Sequence, residues 1–226
     1  MARAVWALGI VLILLIGVLA WLEPVRKHPL LVSLFFAALM IVPFVLRFEW
    51  RSLDSRELVL LALLTAIAAV CRVPFAGLPS VQPTTFVIIV TAVVFGAESG
   101  FVVGAGAALV SNIFLGQGPW TPWQMLSWGL VGLTAGALQN TPVMRWKSLR
   151  LLFGFIWGFL FGWIMNLWVV AGMENWSLST FAAVYVASLY FDLAHGLSNL
   201  FFLALFSSTW IRILQRFKVK YGLLER

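Results

Sequence analysis

Apolar residues fall into eight runs: about 4–22, 30–46, 57–74, 82–97, 99–115, 123–140, 149–172 and 180–211. The separators are short and hold the charges and helix breakers: Glu23 to His28, Arg47 to Arg56, Val73 to Val81, Glu98, Gly116 to Pro122, Pro142 to Lys147, and Glu174 to Ser179. A helix needs about 20 mostly apolar residues to cross a bilayer core, and most runs approach that length. Period-two alternation over ten-residue segments, the mark of a membrane barrel, is absent. Helices are then the remaining way to satisfy the backbone in lipid. The pattern predicts an all-α integral membrane protein. Arg3 precedes the first run, and Val18-Leu19-Ala20 would make a poor cleavage site. A second run follows almost at once, so the first reads as a retained helix rather than a signal peptide.

Composition agrees. Of 226 residues, 62% are apolar and 10% charged, against about 25% charged in a soluble domain. Lipid must be the solvent for most of this surface, and no soluble domain fits beside the helices. The net charge of +7 sits at the ends of the runs, which fits anchoring at anionic lipid and not a nucleic-acid surface. Cys71 is the lone cysteine, so neither an internal disulfide nor a cysteine metal cluster is expected, and no cofactor is implied.

Charge also orients the chain. If the helix near 57–74 starts in the cytoplasm, Arg47, Arg51, Arg56, Arg145, Lys147, Arg150, Arg212, Arg216, Lys218 and Lys220 lie on that side, and only Arg72 lies opposite. Arg26 and Lys27 then face outward, against the rule. The sequence therefore divides into an N-terminal helix pair, residues 1–50, and a six-helix unit with a basic cytoplasmic tail, residues 51–226. Helices in lipid pack through small residues at four-residue spacing. Gly154, Gly158 and Gly162, continued by Asn166, form one such stripe, and Gly100, Gly104 and Ala108 another. Both read as close helix contacts. Ala62 and Ala66, with Ala69 nearby, form a third, either internal packing or a flat surface for a partner helix.

Candidate chemistry lies in two loops and one helix. Asn112 to Gln124 contains two prolines and two glycines, which forbid a continuous helix. Trp120 and Trp123 offer apolar faces there, and Gln117, Thr121 and Gln124 supply hydrogen bonds. A few polar points on an aromatic wall suit a small organic ligand, although tryptophan also gathers at membrane interfaces. The proline-rich loop from Val73 opens to the same side and delivers Gln82, Thr84 and Thr85 to the next helix. In the last run Asp192, His195 and Asn199 lie near one helical face, and Asn166 is placed to face the same interior. An acid at that depth is a functional candidate; its structural alternative is an Asp192–His195 pair locking two helices. Asp192, His195 and Ser198 also admit an intramembrane enzyme. However, no nucleophile elbow, zinc motif or Gly-x-x-x-x-Gly-Lys-Ser/Thr phosphate loop accompanies them.

The Ala62-x-x-x-Ala66 pair, the small-residue run from Gly100 to Asn112, and Gly116-Gln-Gly-Pro-Trp-Thr-Pro-Trp-Gln-Met125 leading into Trp128-Gly-x-x-Gly132 carry a resemblance. Over roughly residues 55–215 the chain resembles the substrate-binding membrane subunit (S component) of energy-coupling factor (ECF) vitamin transporters. It looks most like the cobalamin-type members. The resemblance implies a multi-pass protein of the bacterial cytoplasmic membrane that binds a vitamin from outside and is not an enzyme. It also implies partners: a transmembrane scaffold and two cytoplasmic ATPases, with Ala62 and Ala66 toward the scaffold. Cobalamin or a related corrinoid is the favoured cargo, with pantothenate, riboflavin or a queuosine precursor as alternatives. The expected binding residues are Gln82, Thr84, Asn112, Gln117, Trp120, Trp123, Gln124, Asn166, Asp192, His195 and Asn199. The helix pair in residues 1–50 is foreign to the six-helix pattern.

Overall fold

A computed structural model describes residues 54–173 and 177–223, and the N-terminal helix pair expected in residues 1–50 lies outside them. The described chain runs through α1 (Ser55–Val70), a 3-10 turn (Val73–Phe75), α2 (Thr84–Phe95), α3 (Ala97–Leu115), α4 (Thr121–Ala137), the single turn α5 (Pro142–Arg145), α6 (Lys147–Ala171) and α7 (Leu178–Tyr221). Each apolar run from 57 onward thus becomes one helix, and no strand occurs among the described residues. The breaks fall where the backbone requires them. Gly96 (φ 94°) and Gly116 (φ 108°) close α2 and α3 in conformations that favour glycine. Pro122 stands in the first turn of α4, where its missing N–H costs nothing. At the start of α1 the Asp54 N–H donates to the Glu57 carboxylate at 3.2 Å.

Among the described residues, four helices are long and apolar enough to cross a membrane: Ser55–Phe75, Ala97–Leu115, Lys147–Val170 and Leu178–Tyr221. The chain is a multi-pass membrane protein. α2 is different. Its 12 residues rise only about 18 Å at 1.5 Å per residue, well short of a core about 30 Å thick. All but Val93 are buried, because α1, α3, α4, α6 and α7 all pack around it. It is the axis of the bundle, and its largely apolar sequence, with the buried Thr91 hydroxyl donating to Val87 O at 2.7 Å, follows from having no lipid-facing or water-facing side.

Two antiparallel hairpins surround α2, and both are zipped by glycine. Between α3 and α4, a methyl group at Gly100 would strike the Gly132 backbone, one at Gly104 the Trp128 backbone, and one at Gly136 the Ala97 backbone. Between α6 and α7, a methyl at Gly158 would strike the Gly196 backbone, one at Gly162 the Asp192 carboxylate, and one at Gly154 the Leu203 side chain. Both predicted stripes are therefore packing seams, in which backbone approach and dispersion replace the hydrophobic drive that lipid does not supply.

One end of the bundle collects the cations. Lys218 Nζ donates to Val94 O at the end of α2 (2.9 Å), and Arg150 donates to Met144 O (2.7 Å) and Ser207 Oγ (3.2 Å). Ser55 and Arg56 of α1 line one groove with Tyr221 and Leu223. α7 continues past the predicted end of its apolar run at 211 to Tyr221. Its 44 residues span about 66 Å, so basic turns extend beyond the lipid core.

Candidate functional site

The opposite end of the bundle is where the two loops meet. Arg72 follows α1 directly, and α2 begins only at Thr84. Arg72 Nε donates to Gln82 Oε1 at 2.9 Å, so the cation closes its own loop. Its Nη1 reaches α3, donating to Ser111 Oγ and to Asn112 Oδ1, the latter at 3.0 Å. Asn112, 2% exposed, relays the network onward. Its Nδ2 donates to Thr121 Oγ1 (3.0 Å) and Gln124 Oε1 (2.7 Å) on α4. Thr121 then donates to Gln117 Oε1 at 2.9 Å. A chain of polar groups thus joins α1, both loops, α3 and α4. Each such bond contributes about 0.5–1.5 kcal/mol net, but a missing partner costs more.

Beneath Arg72 lies an aromatic floor. The guanidinium carbon stands 4.7 Å from the Trp128 ring centroid, a cation–π arrangement. Trp128 is fully buried, lies 4.9 Å from Phe161 between centroids, and its indole N–H donates to Thr85 Oγ1 at 3.1 Å. Thr85 Oγ1 also lies 3.0 Å from His195 Nε2, and His195 meets Phe161 edge-on at 4.8 Å. Three residues further along α7, Ser198 Oγ accepts from Gln82 N (2.9 Å) and donates to Gln82 O (3.2 Å), pinning the loop to α7. The short α2 makes this floor possible: it begins at Thr84 beside His195, while residues 178–194 of α7 rise beyond it.

Of the predicted binding residues, Gln82, Asn112, Gln117, Gln124 and His195 fall on this network. Others lie elsewhere. Thr84 turns inward to Ala68 O at 2.9 Å. Asn199 is fully buried, with Nδ2 on Gly154 O at 2.9 Å and no partner for Oδ1 among the described residues. Asn166, Ser188 and Asp192 form a separate cluster: Asn166 donates to Ser188 Oγ at 2.7 Å, and Ser188 donates to Asp192 Oδ2 at 3.0 Å. The Asp192–His195 lock considered from the sequence is replaced by these two partnerships, since His195 turns to α2 and Asp192 to α6 and its own preceding turn. Trp120, 38% exposed, lies over Gly118, whereas Trp123 is buried with Leu126 against Leu130, Ile164, Met165 and Trp168. Ser198 is bonded to the Gln82 backbone and not to His195, so the pair lacks the nucleophile–base bond of a hydrolase.

Sequence reasoning missed Arg72, Ser111 and Phe161 as site residues, and met Trp128 only inside a motif. Arg72 had a visible signal: it is the single cation on the outward side of the six-helix unit. In the charge count it registered only as the exception to the orientation rule.

Comparison with known proteins gives two findings. A family profile described as the S component of the ECF-type riboflavin transporter matches residues 52–207. UPF0397 proteins of Aliivibrio fischeri (strain MJ11) and Vibrio atlanticus (strain LGP32) are each 29% identical over 102 residues, 43% of this chain and 55% and 54% of theirs. A UPF0397 protein of Aliivibrio salmonicida is 29% identical over 90 residues, 38% of this chain and 49% of its own. The chain spans about half the length of the curated relatives it matches. No solved structure matches.

Proposed function

The chain belongs to the family of ECF-type riboflavin transporter S components, and from that premise we propose that it captures a vitamin from outside the cell. A membrane scaffold and two ATPases then drive its uptake. The observation that carries this reading is the polar network from Arg72 through Asn112 to Gln124, which ties both outward loops over the Trp128 floor. Ala62 and Ala66 are exposed on α1, which supports their assignment to the scaffold contact. A subunit that only captures needs no phosphate loop, and this chain has none.

For the cargo, a flavin comes first, because the matching family is described by riboflavin and the site is underlain by the aromatic pair Trp128 and Phe161. A corrinoid is the second reading, supported by the neutral amides Gln82, Asn112 and Gln124 around the site. The test is to purify the chain in detergent from cells grown in rich medium and take an absorption spectrum and a mass spectrum. A flavin band near one-to-one stoichiometry is expected, and a corrinoid band selects the second cargo. A protein that emerges empty, binds no added vitamin and never associates with a scaffold refutes the capture reading.

A further inference from the structure

Arg72 is a half-buried cation held by neutral groups. Its acceptors among the described residues are Gln82, Ser111 and Asn112, and none is a carboxylate. These bonds use Nε and Nη1, and Nη2 has no hydrogen bond among the described residues. Neutral acceptors orient a guanidinium without cancelling its charge, and the indole face offsets only part of the desolvation. The remaining N–H edge is fixed in place by the other two nitrogens. It sits where the two loops meet, beside amides that are themselves uncharged.

We propose that the ligand of this site carries one acidic group, a carboxylate or a phosphate, that pairs with the Nη2 edge of Arg72. The proposal rests on the vitamin-capture reading and names the class of vitamin within it. Among flavins it selects the 5′-phosphate over riboflavin itself. A guanidinium already locked by three neighbours loses little further freedom on binding, so the charge-assisted bond contributes nearly its full strength. One cation matches one acidic group and does not favour a polyanion. The competing explanation is that Arg72 merely ties the loop to α3, in which case its charge has no effect on which ligand is chosen.

The experiment measures binding to the purified protein within three pairs: flavin mononucleotide against riboflavin, pantothenate against pantothenol, and cobalamin, with its phosphodiester, against cobinamide, which lacks it. The pair that binds should show the acidic member favoured by about tenfold or more. R72Q should reduce that preference to near unity, and R72K, which keeps the charge without the fork, should bind more weakly while retaining part of it. E57Q, which removes an acid in the first turn of α1, at the other end of that helix from Arg72, should leave the preference unchanged. Equal binding of both members overturns the proposal and leaves vitamin capture standing. So does a preference that survives R72Q, or one lost in an R72K protein that still binds. If R72Q does not fold, R72K and the molecule that co-purifies decide: an acidic one supports the proposal and a neutral one overturns it. A protein that binds none of the six probes and carries no small molecule from cells refutes both readings together.

Discussion

Thr85 serves two aromatic side chains with one hydroxyl. The Trp128 indole N–H donates to it, and its own proton is available to His195 Nε2. Valine at this position keeps the shape and removes the oxygen, leaving two buried nitrogens without their partner. Leaving a buried polar group unsatisfied costs about 1–3 kcal/mol. Thr85→Val is therefore expected to lower the unfolding midpoint in detergent, with Thr85→Ser recovering most of it. An unchanged midpoint would mean that both rings find other partners. This is the scale at which the sequence was least legible. Polar residue types near the outward loops were visible, but a helix face does not state which neighbour completes each bond. Thr84 and Thr85 are adjacent, yet one turns to the Ala68 carbonyl and the other to the aromatic floor. Asp192 and His195, three residues apart, likewise turn to different partners.

At the scale of helices, the glycine seams decide the packing. Gly158 meets the backbone of Gly196, so a side chain there must push α6 and α7 apart along their contact. Overpacking of a tight core costs about 1–3 kcal/mol for added methylenes, occasionally more. Gly158→Ala should measurably destabilise the protein in detergent, and Gly158→Leu should abolish the folded, monodisperse form. Alanine at Gly77, where nothing lies within 4 Å, should be silent. Equal behaviour of the Gly158 and Gly77 variants in thermal unfolding would contradict the seam. Helix positions and both glycine stripes were readable from the sequence because four-residue spacing and apolar run length are local properties. The shortness of α2 was not. Its run from 82 to 97 looks like an ordinary crossing, and only the surrounding helices reveal that it is an enclosed axis. The extension of α7 to Tyr221 was hidden for a similar reason: Arg212 and Arg216 end the apolar run without ending the helix.

For the whole molecule, the proposed capture site and the proposed scaffold face are separate, and changes at one should spare the other. Leucine at Ala62 and Ala66 adds bulk on the exposed face of α1, away from Arg72. The double variant is expected to retain its vitamin at wild-type stoichiometry, to lose co-purification with a scaffold, and to lose uptake. Loss of ligand instead would show that this face supports the site. The enclosed α2 carries one more consequence. A cargo held at Arg72 has beneath it the buried Thr85 and Trp128, and then a column of packed side chains with no glycine or proline from Thr84 to Phe95. That column offers no hinge to bend, and the hydroxyl of its one internal polar residue, Thr91, is taken up by Val87 O. It is a stopper, not a door. On the proposed capture reading, delivery to the cytoplasm carries the stopper along with the cargo. A cross-link from α2 to α7 should leave transport running, and one that tethers the whole chain to a stationary neighbour should halt it.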